Sequence, residues 1–99
     1  MANPGTYKII AKMQVQPEHL KTFKMLAAEL VDKSSKETGN LHYSLNSARK
    51  EPCLMIFTEA WRDKEAIRSH NESEHFARLL PQLLELCAQE PVTEIYIEE

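Results

Sequence analysis

Residues 54–61 read Leu-Met-Ile-Phe-Thr-Glu-Ala-Trp, and the disposition of these side chains decides the fold. An extended chain sends alternate side chains to opposite faces. Leu54, Ile56 and Ala60 share one face; Met55, Phe57 and Trp61 share the other. Both faces are apolar. A strand of this kind is expected to lie inside a sheet and to be covered on both sides.

The neighbouring sequence supplies the rest of that sheet. Upstream, Ser47 to Pro52 is polar and turn-rich, which predicts a hairpin loop. Before it, Leu41, Tyr43 and Leu45 alternate with His42, Ser44 and Asn46, a second strand. Leu20, Phe23, Ala27, Leu30, Val31 and Ser34 recur at three- and four-residue steps, the stripe of an amphipathic helix. Pro17 suits the first turn of that helix, and Glu18 suits its positive end. Gly39 is expected to stop it as a left-handed residue beyond the C-terminus. The chain opens with a strand over 7–15, where Tyr7, Ile9, Ala11, Met13 and Val15 keep a period of two.

Downstream, Asp63 caps a short helix through Ala66, Ile67 and His70. Ser73 caps another that carries Phe76, Leu79, Leu80, Leu83, Leu84 and Cys87, which Pro81 is expected to kink or restart. Val92 to Ile97 alternates again as the last strand. The order β-α-β-β-α-β, without repeat or linker, predicts a ferredoxin-like α+β fold with an antiparallel sheet. The 99 residues make a single domain with a core over about residues 7–97.

Helices in such a fold cover one sheet face only. The other apolar face of 54–61 needs a cover, and a second copy of the sheet predicts a homodimer. Met55 and Phe57 are expected either in the sheet-to-sheet contact or under the helices. A long loop over the sheet edge is the simpler alternative.

Composition excludes several functions. With 42% hydrophobic and 27% charged residues the chain is not disordered. Its longest apolar runs, such as Leu54 to Phe57, are too short to cross a membrane. Twelve Lys and Arg are scattered among 15 Asp and Glu, giving a net charge of −3 and no basic face for nucleic acid. Cys53 and Cys87 make neither a disulfide framework nor a C-x-x-C pair. Residues 1–5 lack the basic and apolar regions of a signal peptide, so a reducing cytoplasm is predicted.

Candidate site residues are few. Trp61 is either core or a flat wall for an aromatic ligand. Glu59 shares its face; beside an apolar wall its carboxyl pKa would rise, which suits a base that takes a phenolic proton. A salt bridge or hydrogen bond to the dimer partner is the structural alternative for it. His70 and His75 stand five apart, about 500° around a helix, so they belong to separate helical pieces. A metal would then need His42 and Glu59 from the sheet, and no metal is expected. Either histidine can serve as a proton partner or simply bond a helix-end carbonyl. Asn40 fits turn chemistry. His42 and Tyr43 point to opposite faces, and Tyr43 is the better pocket candidate.

The run Gly39-Asn40-Leu41-His42-Tyr43, then Glu59-Ala60-Trp61, then Glu65-Ala66 leading to His70 and His75-Phe76, resembles the antibiotic biosynthesis monooxygenase domain family. The resemblance covers roughly residues 7–97. It implies a dimeric α+β barrel whose pocket oxidises quinol-like or polyphenolic molecules without cofactor. It also implies roles: Trp61 as pocket wall, His70 as proton partner with His75 second, and Asn40 or Tyr43 as oxygen anchor. Haem-degrading relatives carry an asparagine in the first strand. Here that strand reads Ala11-Lys12-Met13-Gln14, which argues against haem. The expected function is a cofactor-independent monooxygenase. An isomerase or proton-transfer enzyme on a small carbonyl compound, and a non-enzymatic ligand-binding dimer, are the alternatives.

Overall fold

The computed structural model describes residues 5–99. The reading of the first residues as carrying no leader falls largely on residues 1–4, outside the described part. Strand β1 spans Tyr7–Gln14, β2 Asn40–Ala48, β3 Glu51–Trp61 and β4 Val92–Ile97. A 3-10 turn at Pro17–His19 leads into helix α1, Leu20–Ser35; α2 spans Lys64–Asn71 and α3 Glu74–Glu85. The four strands lie in the order β2-β3-β1-β4, antiparallel at every pairing. This is the ferredoxin-like α+β architecture, with β3 and β1 in the middle as the doubly apolar stretch required.

The helices pack on one sheet face. Ile9, Ala11, Met13, Tyr43, Met55, Phe57 and Trp61 meet Phe23, Ala27 and Leu30 of α1 and Leu79 and Leu83 of α3 in one core. Met55 and Phe57 therefore lie under the helices. On the opposite face Ile10, Leu54, Ile56 and Ala60 remain only partly covered in the single chain. β4 is exposed along its whole length, with Ile95, Tyr96 and Ile97 each about half accessible.

Several local expectations are corrected. The hairpin over 47–52 shrinks to a turn at Arg49 and Lys50, with Ala48 paired to Glu51. The polar residues before it belong to an edge strand with one wetted face, where polarity does not mean loop. β2 also carries a bulge between Asn40 and His42, which turns Leu41 outward to 59% exposure and takes it off the Tyr43–Leu45 face. Helix α3 runs through Pro81 without restarting. The carbonyl that Pro81 cannot engage is that of Ala77, and both residues are exposed, so leaving it without a helical partner costs little. Cys87 lies beyond α3 and bridges to Val15.

Gly39 has no left-handed backbone; Gly5 alone among the described residues has a positive φ. A Cβ on Gly39 would lie 2.3 Å from the Ala66 Cβ. Glycine is required there because α2 presses directly on the loop that follows α1.

Candidate active site

Between the sheet and α2 and α3 lies a cavity of about 250 Å³. Its floor is Ile9, Ala11, Met13 and Phe57; Ile67, Phe76, Leu80 and Leu84 form much of its helical side. Thr93 and Ile95 of β4 form a rim. Glu59, His70 and Asn71 are the polar groups of greatest chemical interest in it. An apolar space of about 150 Å³ holds a benzene ring, so this one fits one substituted aromatic ring.

β3 positions Glu59. Its Cα pairs with Ile9 on one side and Tyr43 on the other, which aims the carboxyl at the helices. Glu59 Oε1 accepts a 2.9 Å hydrogen bond from Trp61 Nε1. Burial pushes the carboxyl pKa up to about 7; the indole bond opposes this and the charge of Glu37 adds to it. Glu59 thus exchanges a proton near neutrality. Trp61 is wholly buried and lies outside the cavity lining. The wall expected of it is built by Phe57 and Phe76 instead. The indole fixes the Glu59 carboxyl and packs on the His70 ring at 4.6 Å.

The two histidines meet although they stand on separate helices. Glu37 Oε2, from the loop after α1, accepts bonds from His70 Nδ1 and His75 Nε2, both at 2.7 Å. Ala66 and His70 are one turn apart on the buried face of α2, so the contact of Ala66 with Gly39 also brings His70 onto Glu37. With Nδ1 donating, His70 Nε2 keeps a bare lone pair, and this buried nitrogen has no partner. Desolvation lowers the His70 pKa, partly opposed by Glu37. The Asp63 and Ser73 caps, to Ala66 N and Phe76 N, hold the starts of the two helices.

Of the remaining candidates, Tyr43 is buried behind the cavity, packed on Phe57, Trp61 and His70. Desolvation and the nearby Glu59 raise its phenol well above the usual range. Asn40 is held in the β2 bulge, its amide donating to the carbonyls of His42 and Ala60, and does not line the cavity. His42 points to the open sheet face, bonded to Ser44 and Thr58. The structure brings Glu59 and His70 to one cavity, with Trp61 and Tyr43 behind them, His75 on the far side of Glu37, and Asn40 apart.

Sequence reasoning missed Glu37 and Asn71. No spacing rule links position 37 to 70 and 75. Gly39, read from the sequence as a helix stop, marks the close approach of α2 only once the structure shows that its backbone is not left-handed. Asn71 ends α2 one residue after His70, and its proximity to the cavity follows from the His70 assignment.

Comparison with known proteins agrees with this picture. The sequence profile described as "Antibiotic biosynthesis monooxygenase" matches residues 6–82. The chain is 36% identical over 66 residues to "Putative monooxygenase YcnE" of Bacillus subtilis (strain 168), covering 67% of this chain and 70% of that protein. A conserved protein from Methanosarcina mazei Go1 superposes with a TM-score of 0.93 at 29% identity, over 95% of this chain and 93% of that one. A crystal structure of an antibiotic biosynthesis monooxygenase gives 0.88 at 32% identity, over 91% and 95%. The profile spans most of the chain, including β3, α2 and most of α3, and the chain belongs to the antibiotic biosynthesis monooxygenase family.

Proposed function

We propose that the chain is a cofactor-independent monooxygenase of quinol-like or polyphenolic small molecules, acting as a homodimer. One observation carries this reading: a carboxyl group poised near pH 7, Glu59, lines an apolar cavity the size of one aromatic ring. Glu59 takes the phenolic proton, and the His70 imidazole holds a second oxygen. Fixed groups in a largely apolar cavity favour the electron-rich anion for reaction with dioxygen. The substrate supplies every electron: a hydroquinone and O2 give a hydroxyquinone and water. One O–O bond breaks, one C–O bond forms, and the Glu59 proton leaves in the water.

The half-covered face of Leu54, Ile56 and Ala60 and the exposed β4 support a second copy as its cover. The unpaired thiols Cys53 and Cys87 fit a reducing cytoplasm. Among the described residues no helix is long and apolar enough to cross a membrane.

Oxygen uptake with a panel of quinols tests the proposal. We expect one O2 consumed per quinol, the hydroxyquinone as product, and a loss of about 10²–10⁴ in rate for Glu59→Gln. His70→Ala should also lower turnover while thermal unfolding stays cooperative. Consumption of no quinol overturns the reading. Turnover of a small carbonyl compound without oxygen uptake would replace it with proton transfer, for which Glu59 is equally placed.

A further inference from the structure

We propose that Glu37, His70 and His75 form a binding site for one divalent first-row transition metal ion. Three separate elements contribute: the loop after α1, helix α2 and the start of α3. Each residue offers one ligand atom, and all three atoms lie within 4.8 Å of one another. Two imidazoles and one carboxylate are a recurrent ligand set for zinc, leaving a fourth position open. A tetrahedral ion places its ligand atoms about 3.3 Å apart. The 2.7 Å hydrogen bonds now joining Glu37 to both rings would open slightly, and the ring nitrogens would close around the ion.

Charge supports an ion here. Glu37 keeps only 15% of its side-chain surface, and its ion-pair partners in the structure are these two histidines. A largely buried carboxylate is stabilised by a cation or a metal. The histidines, 3% and 14% exposed, are as enclosed as the carboxylate. A cleft beside Lys36, Gly39, Arg62 and Ser69 reaches Glu37 and gives an ion access. Its two cations are paired elsewhere, Lys36 with Asp32 and Arg62 with Asp63.

Binding through Nδ1 would fix the second proton of His70 on Nε2, the nitrogen that has no partner in the structure. A metal-ligating histidine usually donates its other N–H to an acceptor. His70 also lines the cavity, so a ligand oxygen there can be that acceptor. The metal then sets whether His70 offers the cavity a donor or a lone pair. The site itself does not depend on the oxygenase reading.

The test uses chelator-treated full-length protein, titrated with Co²⁺ by visible absorption and with Zn²⁺ by calorimetry. We expect one equivalent, a tetrahedral cobalt spectrum, and a dissociation constant of about 10 µM or tighter. At a hundredfold excess over that constant, thermal unfolding should rise by roughly 10 °C or more. Glu37→Gln and His75→Ala should each weaken binding by about 10²-fold or more; His42→Ala should not. Glu37→Gln keeps the shape of the side chain, and His75 is partly exposed, so the two variants do not share one folding risk. Absence of the tetrahedral spectrum, or binding that survives both substitutions, overturns the site and leaves a hydrogen-bonded Glu–His pair of partners only. The quinol assay is run separately on the metal-free protein, so failure of that reading and failure of this site are told apart.

Discussion

Replacing Gly39 by alanine tests the contact that assembles the site. The new Cβ would stand 2.3 Å from the Ala66 Cβ and 3.3 Å from its Cα. Carbon atoms in contact sit about 3.5–4.0 Å apart, so α2 must retreat by about 1.5 Å. Overpacking of this kind costs about 1–3 kcal/mol. Because Gly39 needs no left-handed backbone, alanine returns about 0.4–1 kcal/mol by restricting the unfolded chain. We therefore expect a net loss of about 1.3 kcal/mol, or roughly 5–10 °C in a domain of this size. Urea unfolding measures it. Ala66→Gly alone should cost about 1 kcal/mol of helix propensity. The double variant should be more stable than the sum of the two by about 1 kcal/mol, since removing the Ala66 Cβ relieves the closest clash and leaves only the 3.3 Å approach. The His70 ring resonances should shift in Gly39→Ala and return toward the parent in the double variant, because Ala66 and His70 share one face of α2. Stability of Gly39→Ala within about 0.5 kcal/mol of the parent, or strict additivity in the double, would refute the reasoning.

Three further outcomes are expected. Burial holds Glu59 protonated up to about pH 7 in the folded chain, whereas the unfolded chain releases that proton near the ordinary value of 4.5. The folded state thus binds the extra proton, and stability should fall by up to about 3 kcal/mol as pH rises from 4.5 through 7; Glu59→Gln should remove that slope in denaturant titrations at several pH values. Asp63→Ala removes the 2.9 Å acceptor from Ala66 N and should cost about 1 kcal/mol, read from the urea midpoint at constant slope. Sedimentation at tens of micromolar should find a dimer burying about 2,000 Å² or more, and Ile56→Lys on the open sheet face should give a monomer of unchanged secondary structure.

Most of the fold is local chemistry and could be read in order along the chain. The period-two runs of β1, β3 and β4, the stripe Phe23–Ala27–Leu30 and the caps Asp63 and Ser73 each depend on residues a few positions apart. The doubly apolar 54–61 stretch placed β3 inside the sheet because covered strands alone are apolar on both faces. Glu59 was legible as a proton-exchanging candidate for the same reason, since it faces the side that Trp61 buries. Tertiary structure alone decided what depends on contacts between distant segments. The bulge at Asn40 took that amide out of the cavity, and the order of layers put Trp61 behind Glu59 rather than beside a ligand. The meeting of Glu37 with His70 and His75, 33 and 38 residues away, was invisible for the plainest physical reason. Sequence periodicity reports which face of an element is buried, while the partner on that face is chosen by how the helices pack, here by a glycine that lets α2 come close.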